Sequence, residues 1–388
     1  MSLKKISLPD EITQVIATIE QNGYEAYIVG GAVRDFVMGR SISDYDITTN
    51  ARPEQICNMF SKVVETGIKH GTVTVLAGKY SVEVTSYRVD GEYQNHRRPM
   101  QVEFSNSLAE DLKRRDFTIN ALAYNPETGI VDLFGGVDDI HKKIIRTVGE
   151  PDKRFNEDAL RMLRAVRFSA CLGFDILPDA FASMLKNAHL MEYVSRERIK
   201  AELDKAIMGD YVEKLGDYAD FMSIFLPHLD KNVGILNALS NIDKTIEIRW
   251  AKLLSKAHPD AEEFICKYKF SNAEKKKIRT LLKYSGKEIS HDRVVIKNIL
   301  RKTDDDLFED VLKMKQDKAA YEIYRDIKSS REPYRISHLA LGGNEVLSVA
   351  EDKTQIGQML EYLLDRVIQN PSLNKREKLL ELLEEYHV

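Results

Sequence analysis

The chain has 388 residues and a formal net charge of -4 at pH 7, with both signs of charge mixed along the sequence. Its length predicts several domains, because a domain usually takes about 100–200 residues. The acidic balance does not favour a nucleic-acid binder, but net charge does not report a local basic face. No long apolar run predicts a membrane span, and the N-terminus lacks an apolar signal core.

The cysteine pattern predicts a reducing compartment. Cys57, Cys171 and Cys266 have no CxxC spacing, so they indicate neither a zinc site nor a disulfide framework. We therefore expect the protein in the cytoplasm. The sequence leaves open whether it is a monomer or a homodimer.

The first part of the chain, up to Gly149, alternates between strand-like and helical patterns. This mixture predicts an α+β domain built on one mixed sheet. The predicted strands are Ala26–Val29, Thr72–Ala77, Tyr80–Tyr87, Gln101–Phe104 and Ala121–Tyr124, and the predicted helices include Pro9–Asn22 and Pro53–Phe60.

After Pro151 the pattern becomes almost wholly helical, with apolar residues three and four apart. It continues from Asn232 to Val388 and is interrupted by three prolines. We expect a division into residues 1–148 (head), 149–212 (neck), 213–300 (body) and 301–388 (tail). The clearest predicted helices are Glu157–Leu172, Pro178–Asn187, Arg196–Met208 and Val212–Phe225.

The most informative motif is the stretch from Val29 to Asn50, VGGAVRDFVMGRSISDYDITTN. Asp44 and Asp46 lead into a strand-like run, and alternate residues of a strand point to the same face. Two carboxylates there repel each other unless a cation neutralises them, and such hard oxygen ligands suit Mg²⁺. A lone D-x-D is a weak motif, but here Gly30 and Gly31 also let the backbone approach a phosphate. The segment predicts a metal-dependent site for phosphoryl or nucleotidyl transfer.

Four later segments strengthen this interpretation: Lys113–Ala123 (KRRDFTINALA), Asp132–Arg146, Glu157–Arg167 (EDALRMLRAVR) and Ser195–Leu203. Together with GGAVRD and DYD they resemble, in the same order, the motifs of the tRNA nucleotidyltransferase/poly(A) polymerase family of class II. The resemblance covers roughly the first half of the chain. It implies a nucleotidyltransferase head followed by an all-α neck, body and tail, with Mg²⁺ as cofactor. It also implies addition of CCA to the 3′ end of tRNA from CTP and ATP.

The resemblance also implies roles for individual residues. Asp44 and Asp46 would hold the metals, and the nucleotide would be bound by Gly31, Arg34, Arg115, Asp158, Arg161, Arg164 and Arg167. The alternative role for Arg34 is an ion pair with Asp35. Glu83 is either a third carboxylate near the metals or part of a solvated strand face, and the sequence does not decide between them.

Asp158 and Arg161 predict base selection. Three residues apart on a helix, they would be neighbours on one face. The carboxylate only accepts hydrogen bonds and the guanidinium only donates, which matches the amino group and ring nitrogen of cytosine or adenine. Uracil and guanine present an oxygen in place of the amino group and would be rejected. On the same helix Arg167 would point away from Asp158, so Arg164 and Arg167 are expected at phosphate, ribose or the head.

Two sequence features help to choose among the alternative functions. The polar stretch Arg88–Pro99 resembles the flexible loop of complete CCA-adding enzymes, which favours complete addition over addition of only CC or only A. The strands of Gly67–Tyr87 lack the basic strand expected in a bacterial poly(A) polymerase. A non-catalytic RNA-binding module is the alternative from another class, and the intact carboxylates disfavour it.

The helical half carries basic clusters at Lys275–Lys277, Arg279, Lys283 and Arg293–Lys302. Neighbouring helices could gather them into a face for the phosphates of a tRNA arm. They could equally be ordinary solvated helix faces, and the sequence leaves both interpretations open.

Overall fold

A computed structural model describes residues 6–68, 71–90, 93–94, 98–99, 102–347 and 353–386. The chain forms two compact units. The first extends to Leu236 and includes Lys267–Lys269, and the second comprises Asn237–Cys266 and the chain from Phe270 onward. No helix among the described residues is long and apolar enough to span a bilayer.

Seven strands of the first unit form one mixed sheet, in the order β11-β10-β1-β2-β5-β4-β3. Within this sheet β2 and β5 pair in parallel, and the other neighbours pair antiparallel. The strands among the described residues are β1 (Ala26–Val29), β2 (Asp46–Thr49), β3 (Val63–Gly67), β4 (Thr72–Ala77), β5 (Tyr80–Ser86), β6 (Arg88–Asp90), β7 (Tyr93–Gln94), β8 (Arg98–Pro99), β9 (Val102–Phe104), β10 (Leu122–Asn125), β11 (Gly129–Asp132), β12 (Ile144–Ile145) and β13 (Asp175–Ile176).

Alternation along β5 separates the core face of the sheet from the face that carries the site. Val82 and Val84 are fully buried, whereas Glu83 between them is exposed. Residues of one strand alternate between faces, so Glu83 lies on the face opposite the valines. Its parallel register partner on β2 is Asp46. The pairing therefore places two carboxylates side by side on one face of the sheet.

The first unit also contains ten α-helices among its described residues. They are α1 (Asp10–Gln21), α2 (Gly31–Val37), α3 (Pro53–Met59), α4 (Leu108–Lys113), α5 (Gly136–Lys142), α6 (Pro151–Glu157), α7 (Leu160–Leu172), α8 (Pro178–Lys186), α9 (Arg196–Ile207) and α10 (Ala219–Met222), with 3₁₀ turns at Thr118–Asn120, Ala188–Tyr193, Val212–Tyr218 and Asp230–Asn232.

Three sequence-based expectations differ from the structure. Asp44 lies before β2 rather than on it, because the strand begins at Asp46. The expected helix Glu157–Leu172 is broken, since Asp158 has extended dihedral angles (φ -137°, ψ 104°) between α6 and α7. The expected helix Val212–Phe225 begins as a 3₁₀ turn and becomes α-helical only at α10.

The predicted loop Arg88–Pro99 lies partly outside the described residues. The described part pairs β6 with β9 and β7 with β8, both antiparallel. Residues 91–92, 95–97 and 100–101 are not described.

The regular secondary structure among the described residues of the second unit is all helical. Helix α11 (Gly234–Ser240) leads into it, and it comprises α12 (Ile246–Ala257), α13 (Ala261–Lys267), α14 (Asn272–Ser285), α15 (Arg293–Lys302), α16 (Asp305–Lys315), α17 (Lys318–Ser329), α18 (Gly343–Leu347), α19 (Ile356–Gln369) and α20 (Arg376–Glu384), with 3₁₀ turns at Ile336–His338, Lys353–Gln355 and Pro371–Leu373.

Aromatic packing and helix caps explain part of this unit. The Trp250 ring lies 5.1 Å from that of Phe264 and 5.4 Å from that of Phe270, centroid to centroid. Ser271 and Glu274 form a capping box that satisfies backbone N–H groups at the start of α14.

Helices α12, α14 and α16 pack against one another. A cut at the expected body–tail boundary, residue 300, would therefore separate α16 from α12 and α14.

Much of the basic charge in this unit is paired with carboxylates. Lys277 Nζ lies 2.8 Å from Asp310 Oδ2, and Arg279 pairs with Glu262. Arg301 pairs with Glu361 and Asp365. These pairs favour the interpretation of the clusters as ordinary helix faces, because carboxylates beside the cations offset the field that phosphates would need.

Lys297 is the most buried of these cations, with 1% of its surface exposed. Its Nζ lies 3.1 Å from Glu332 Oε2, and Glu332 also pairs with Arg293. We predict that Lys297→Ala lowers the free energy of unfolding of the second unit by about 3 kcal/mol, because it leaves Glu332 less compensated in a buried site.

Urea unfolding followed by tryptophan fluorescence measures this loss. Trp250 is the single tryptophan of the chain and is buried in the second unit. The control is Lys276→Ala at an exposed position of α14, which should change the stability by no more than about 0.5 kcal/mol. Equal unfolding curves for the two variants would contradict the prediction.

Candidate active site

The turn between β1 and α2 brings the backbone close to an arginine of the head. Gly30 has a φ of 69°, which favours glycine. A Cβ at this position would lie only 3.2 Å from Arg115 Nη1. Gly31 begins α2 directly after it. A glycine is thus required for both the backbone conformation and the close approach.

Three carboxylates meet at the start of β2. Asp46 lies beside Glu83 in the register, and Asp44 precedes it by two residues. Partial burial and the negative charges of Glu83 and Asp44 raise the pKa of Asp46 above its ordinary value, while Arg115 opposes the rise. A cation at this point would relieve the repulsion.

The donor chemistry suits Mg²⁺, which is usually held by one or two carboxylates together with substrate phosphates. No group of three or more His, Cys, Asp or Glu side chains is arranged to hold a metal ion among the described residues. Asp44 and Asp46 are two carboxylates of this kind on the wall of one cleft.

Asp111 holds two arginines and also bonds the strand that carries Asp46. It is fully buried and accepts a hydrogen bond from Thr48 Oγ1 on β2 (3.2 Å). Arg114 Nη2 donates to Asp111 Oδ1 (2.7 Å), and Arg115 Nη2 lies 3.4 Å from Oδ2. Burial alone would raise the pKa of Asp111, but the two guanidinium groups lower it below the ordinary value. Asp111 thereby ties the Arg115 guanidinium to the strand that carries Asp46.

Arg34 forms an ion pair with Asp35, which is the alternative role that the sequence predicted. Its Nη2 donates to Asp35 Oδ1 (2.8 Å), and its Nη1 donates to Asn120 Oδ1 (2.7 Å). The same guanidinium lies 5.4 Å from the Phe168 ring centroid, within cation–π range. Arg34 is thus held from two sides at the edge of the site.

Asp158 and Arg161 have different partners instead of each other. Asp158 Oδ1 accepts from the Leu160 N–H (3.1 Å), and Asp158 Oδ2 accepts from Arg198 Nη2 (2.8 Å). Arg161 Nη1 donates to Glu157 Oε2 (2.6 Å), and Arg161 Nη2 donates to the Arg114 carbonyl oxygen (2.9 Å). The break between α6 and α7 explains the difference, because Asp158 is not on the helix that carries Arg161.

Arg164 joins α7 to Asp116, which follows α4. Its Nε donates to Asp116 Oδ2 (2.8 Å), and its Nη1 lies 3.8 Å from Glu202 Oε1 on α9. Asp116 also accepts from Asn120 Nδ2 (3.2 Å). Burial alone would raise the pKa of Asp116, but Arg164 and Asn120 lower it to about 2.

Arg167 occupies the next position along α7. Its Nε lies 2.7 Å from Glu202 Oε2, and its guanidinium carbon lies 3.9 Å from the Phe168 ring centroid. Arg164 lies 5.5 Å from the same ring. The Phe168 ring thus contacts three arginines that the sequence predicts to bind nucleotide.

These side chains surround one cleft of about 670 Å³. Among the described residues, eight basic and five acidic side chains line it, so it is locally positive although the whole chain is acidic. Every residue that the sequence predicts to bind metal or nucleotide lies on its wall: Gly31, Arg34, Asp44, Asp46, Arg115, Asp158, Arg161, Arg164 and Arg167.

Sequence reasoning missed other residues of this wall. Arg198 and Lys205 of α9 line the cleft, and so does Phe168. Arg198, Glu202 and Lys205 are spaced four and three residues apart on one helix, so the spacing could have shown that they share a face. No sequence signal indicated that Phe168 lies beneath several arginines.

Comparison with known proteins gives this cleft a context. The Poly A polymerase head domain family matches residues 26–146, and the family described as probable RNA and SrmB-binding site of polymerase A matches residues 173–231. A CCA-adding enzyme of Geobacillus kaustophilus is 47% identical over 226 residues, which cover 58% of this chain and 56% of that protein. The chain thus spans a little over half the length of that relative. A CCA-adding enzyme of Lactococcus lactis is 36% identical, and the match covers 97% of each chain.

The chain belongs to the bacterial class II CCA-adding enzymes. A crystal structure of the Bacillus stearothermophilus CCA-adding enzyme in complex with CTP agrees, with a TM-score of 0.82 and 30% identity over 97% of this chain and 98% of that one. The family resemblance and the α+β fold class predicted from the motifs are therefore confirmed.

The ion pair between Asp116 and Arg164 predicts a pH-dependent stability. Because the pKa of Asp116 in the folded protein, about 2, is below the ordinary 3.8, this carboxylate stabilises the fold above about pH 4 and loses that effect as the pH falls towards 2. We predict that the difference in stability between wild type and Asp116→Asn narrows by about 1 kcal/mol from about pH 6 to about pH 3.

Urea unfolding followed by far-UV circular dichroism at several pH values checks this prediction. The control is Asp138→Asn, at an exposed position of α5, measured at the same pH values. A constant difference for Asp116→Asn would show that the folded-state pKa of Asp116 is not depressed.

Proposed function

We propose that the protein adds CCA to the 3′ end of tRNA, using CTP and ATP and releasing pyrophosphate, without a nucleic-acid template. The observation that carries this proposal is that one cleft is lined by Asp44 and Asp46 of the head and by Asp158 and Arg161 of the neck. A relative with the same fold was solved with CTP. The Arg88–Pro99 stretch favours complete CCA addition over addition of only CC or only A.

Asp44 and Asp46 would hold Mg²⁺. Burial of Asp46, together with the negative charges of Glu83 and Asp44, raises its pKa and supports this assignment. When bound, two such ions lower the pKa of the attacking 3′-hydroxyl and neutralise the triphosphate and the leaving pyrophosphate. Glu83 is the neighbour of Asp46 in the register and the main charge acting on it. Glu83 does not line the cleft, and we propose that it acts on the metal site through its charge on Asp46.

The triphosphate would be bound where the head presents backbone and guanidinium donors together. Gly31 begins α2, and Arg34 and Arg115 present planar forks that suit phosphate oxygens. Asp35 holds Arg34 in position before the nucleotide arrives. Arg164 and Arg167 would contact phosphate or ribose while Asp116 and Glu202 hold them.

Base selection would depend on Asp158 and Arg161. The carboxylate accepts from the amino group of cytosine or adenine, and the guanidinium donates to the ring nitrogen. The carbonyl oxygen of uracil would meet Asp158 acceptor against acceptor. The two side chains come from either side of a helix break, so their separation is not fixed by helical spacing.

We propose that residues 1–148 form the catalytic head, 149–212 the nucleotide-selecting neck, 213–300 the body and 301–388 a tail that binds tRNA. The match of residues 173–231 to an RNA-binding family suggests that tRNA also contacts this region. We propose a cytoplasmic location, which agrees with three free cysteines.

Removing either metal carboxylate tests the catalytic assignment. Asp44→Ala and Asp46→Ala should each abolish incorporation of labelled CMP into tRNA in the presence of Mg²⁺, while the circular dichroism spectrum stays that of the wild type. Asp138→Ala, which removes an exposed carboxylate of the same domain, should retain full activity. Substantial turnover by either cleft variant would refute the metal assignment.

Removing the base-reading acceptor tests selection. Asp158→Ala should weaken the use of CTP and ATP and relax the discrimination against UTP. An unmade or mismatched buried hydrogen bond costs about 1–3 kcal/mol, so the ratio of kcat/KM for CTP to that for UTP should fall roughly ten- to a hundredfold. Single-nucleotide kinetics measure this ratio, and an unchanged value would show that Asp158 does not read the base.

A further inference from the structure

Arg198 reaches Asp158 from a different helix. It lies in the first turn of α9, which packs against α7. Its Nη2 donates to Asp158 Oδ2 at 2.8 Å, and the two side chains are 31% and 19% exposed. The pair therefore lies in the wall of the cleft rather than on the open surface.

The orientation of the Asp158 side chain depends on this contact, because Asp158 itself is not part of a helix. It occupies the break between α6 and α7, and its other oxygen accepts from the Leu160 N–H at 3.1 Å. A carboxylate has about four lone-pair sites, so one bond at each oxygen leaves room for the amino group of a base. Arg198 and the Leu160 N–H together fix the plane of the carboxylate.

Without Arg198, other cations of the cleft would compete for Asp158. Arg161 and Arg164 line the same cleft. A carboxylate that turned towards either guanidinium would no longer present its acceptor to the base. Groups that select a substrate need this support, since a displacement of less than 1 Å is enough to lose a hydrogen bond.

The Arg198 guanidinium also has a donor to spare. Its Nη1 is buried and makes no hydrogen bond within the described part of the protein. Nη2 is thus the arm of the planar fork that bonds Asp158, while the Nη1 arm is buried beside it.

We infer that Arg198 is a positioning residue that fixes the Asp158 carboxylate and thereby sets the selectivity for amino-bearing bases, an inference that rests on the proposed function. Arg198 does not touch the reacting atoms. It acts through the orientation of Asp158.

The test compares CTP and UTP as substrates for tRNA that ends at the discriminator base. Arg198→Met should lower the ratio of kcat/KM for CTP to that for UTP about tenfold, the effect of one weakened hydrogen bond. Arg198→Lys keeps a charged donor and should restore most of the ratio. The control is Arg196→Met, on the same turn of α9 but outside the cleft wall, which should leave the ratio unchanged.

A double-mutant cycle shows whether Arg198 acts through Asp158. In the Asp158→Ala background, Arg198→Met should change the ratio less than about twofold, because coupled residues are not additive. An unchanged ratio in Arg198→Met, or an equal loss with both nucleotides that Arg198→Lys does not restore, would overturn the inference. A tenfold effect that persists without Asp158 would also overturn it.

The wild-type protein separates this inference from the function on which it rests. Wild-type addition that prefers CTP, together with an unchanged ratio in the Arg198 variants, would refute the inference alone. A wild-type protein that adds neither CMP nor AMP to tRNA would refute the proposed function and the inference with it.

Discussion

The ion pair between Arg164 and the buried Asp116 is the contact on which the cleft depends. It joins α7 to the segment of the head that also carries Arg115. Beside it, Arg161 donates to the Arg114 carbonyl oxygen, and Arg154 donates to that of Lys113. Side chains of α6 and α7 thus satisfy carbonyl groups at the end of α4 that have no partner within the helix. Asp158 and Arg161 line the same cleft as Asp44 and Asp46 because these contacts hold the two elements together.

The distribution of charged residues also distinguishes the cleft from the rest of the chain. The protein is acidic overall, yet its cleft collects an excess of arginines, and the electrostatic field in the cleft depends on this local excess. In the second unit, by contrast, carboxylates accompany several of the cations that the sequence presents as basic clusters. A run of lysine and arginine is therefore a weak indicator of an RNA-binding face until the positions of neighbouring carboxylates are known.

The sequence predicted most of the site and less of its internal contacts. β1 and β4 have the predicted bounds, and the motif residues line one cleft, because local periodicity and motif order carry that information. The helix break at Asp158 was not predicted, since the apolar spacing continues through it. The pairing of Asp158 with Arg198 spans 40 residues, and only the packing of α7 on α9 brings the two together.

Sequencing the products formed on a tRNA that ends at the discriminator base tests the central claim most directly. With Mg²⁺, the account predicts cytidines from CTP alone, the complete CCA end from CTP and ATP together, and no addition from UTP or GTP. Long adenosine tails from ATP alone, or UMP added as readily as CMP, would contradict the claim that this cleft selects nucleotides for CCA synthesis.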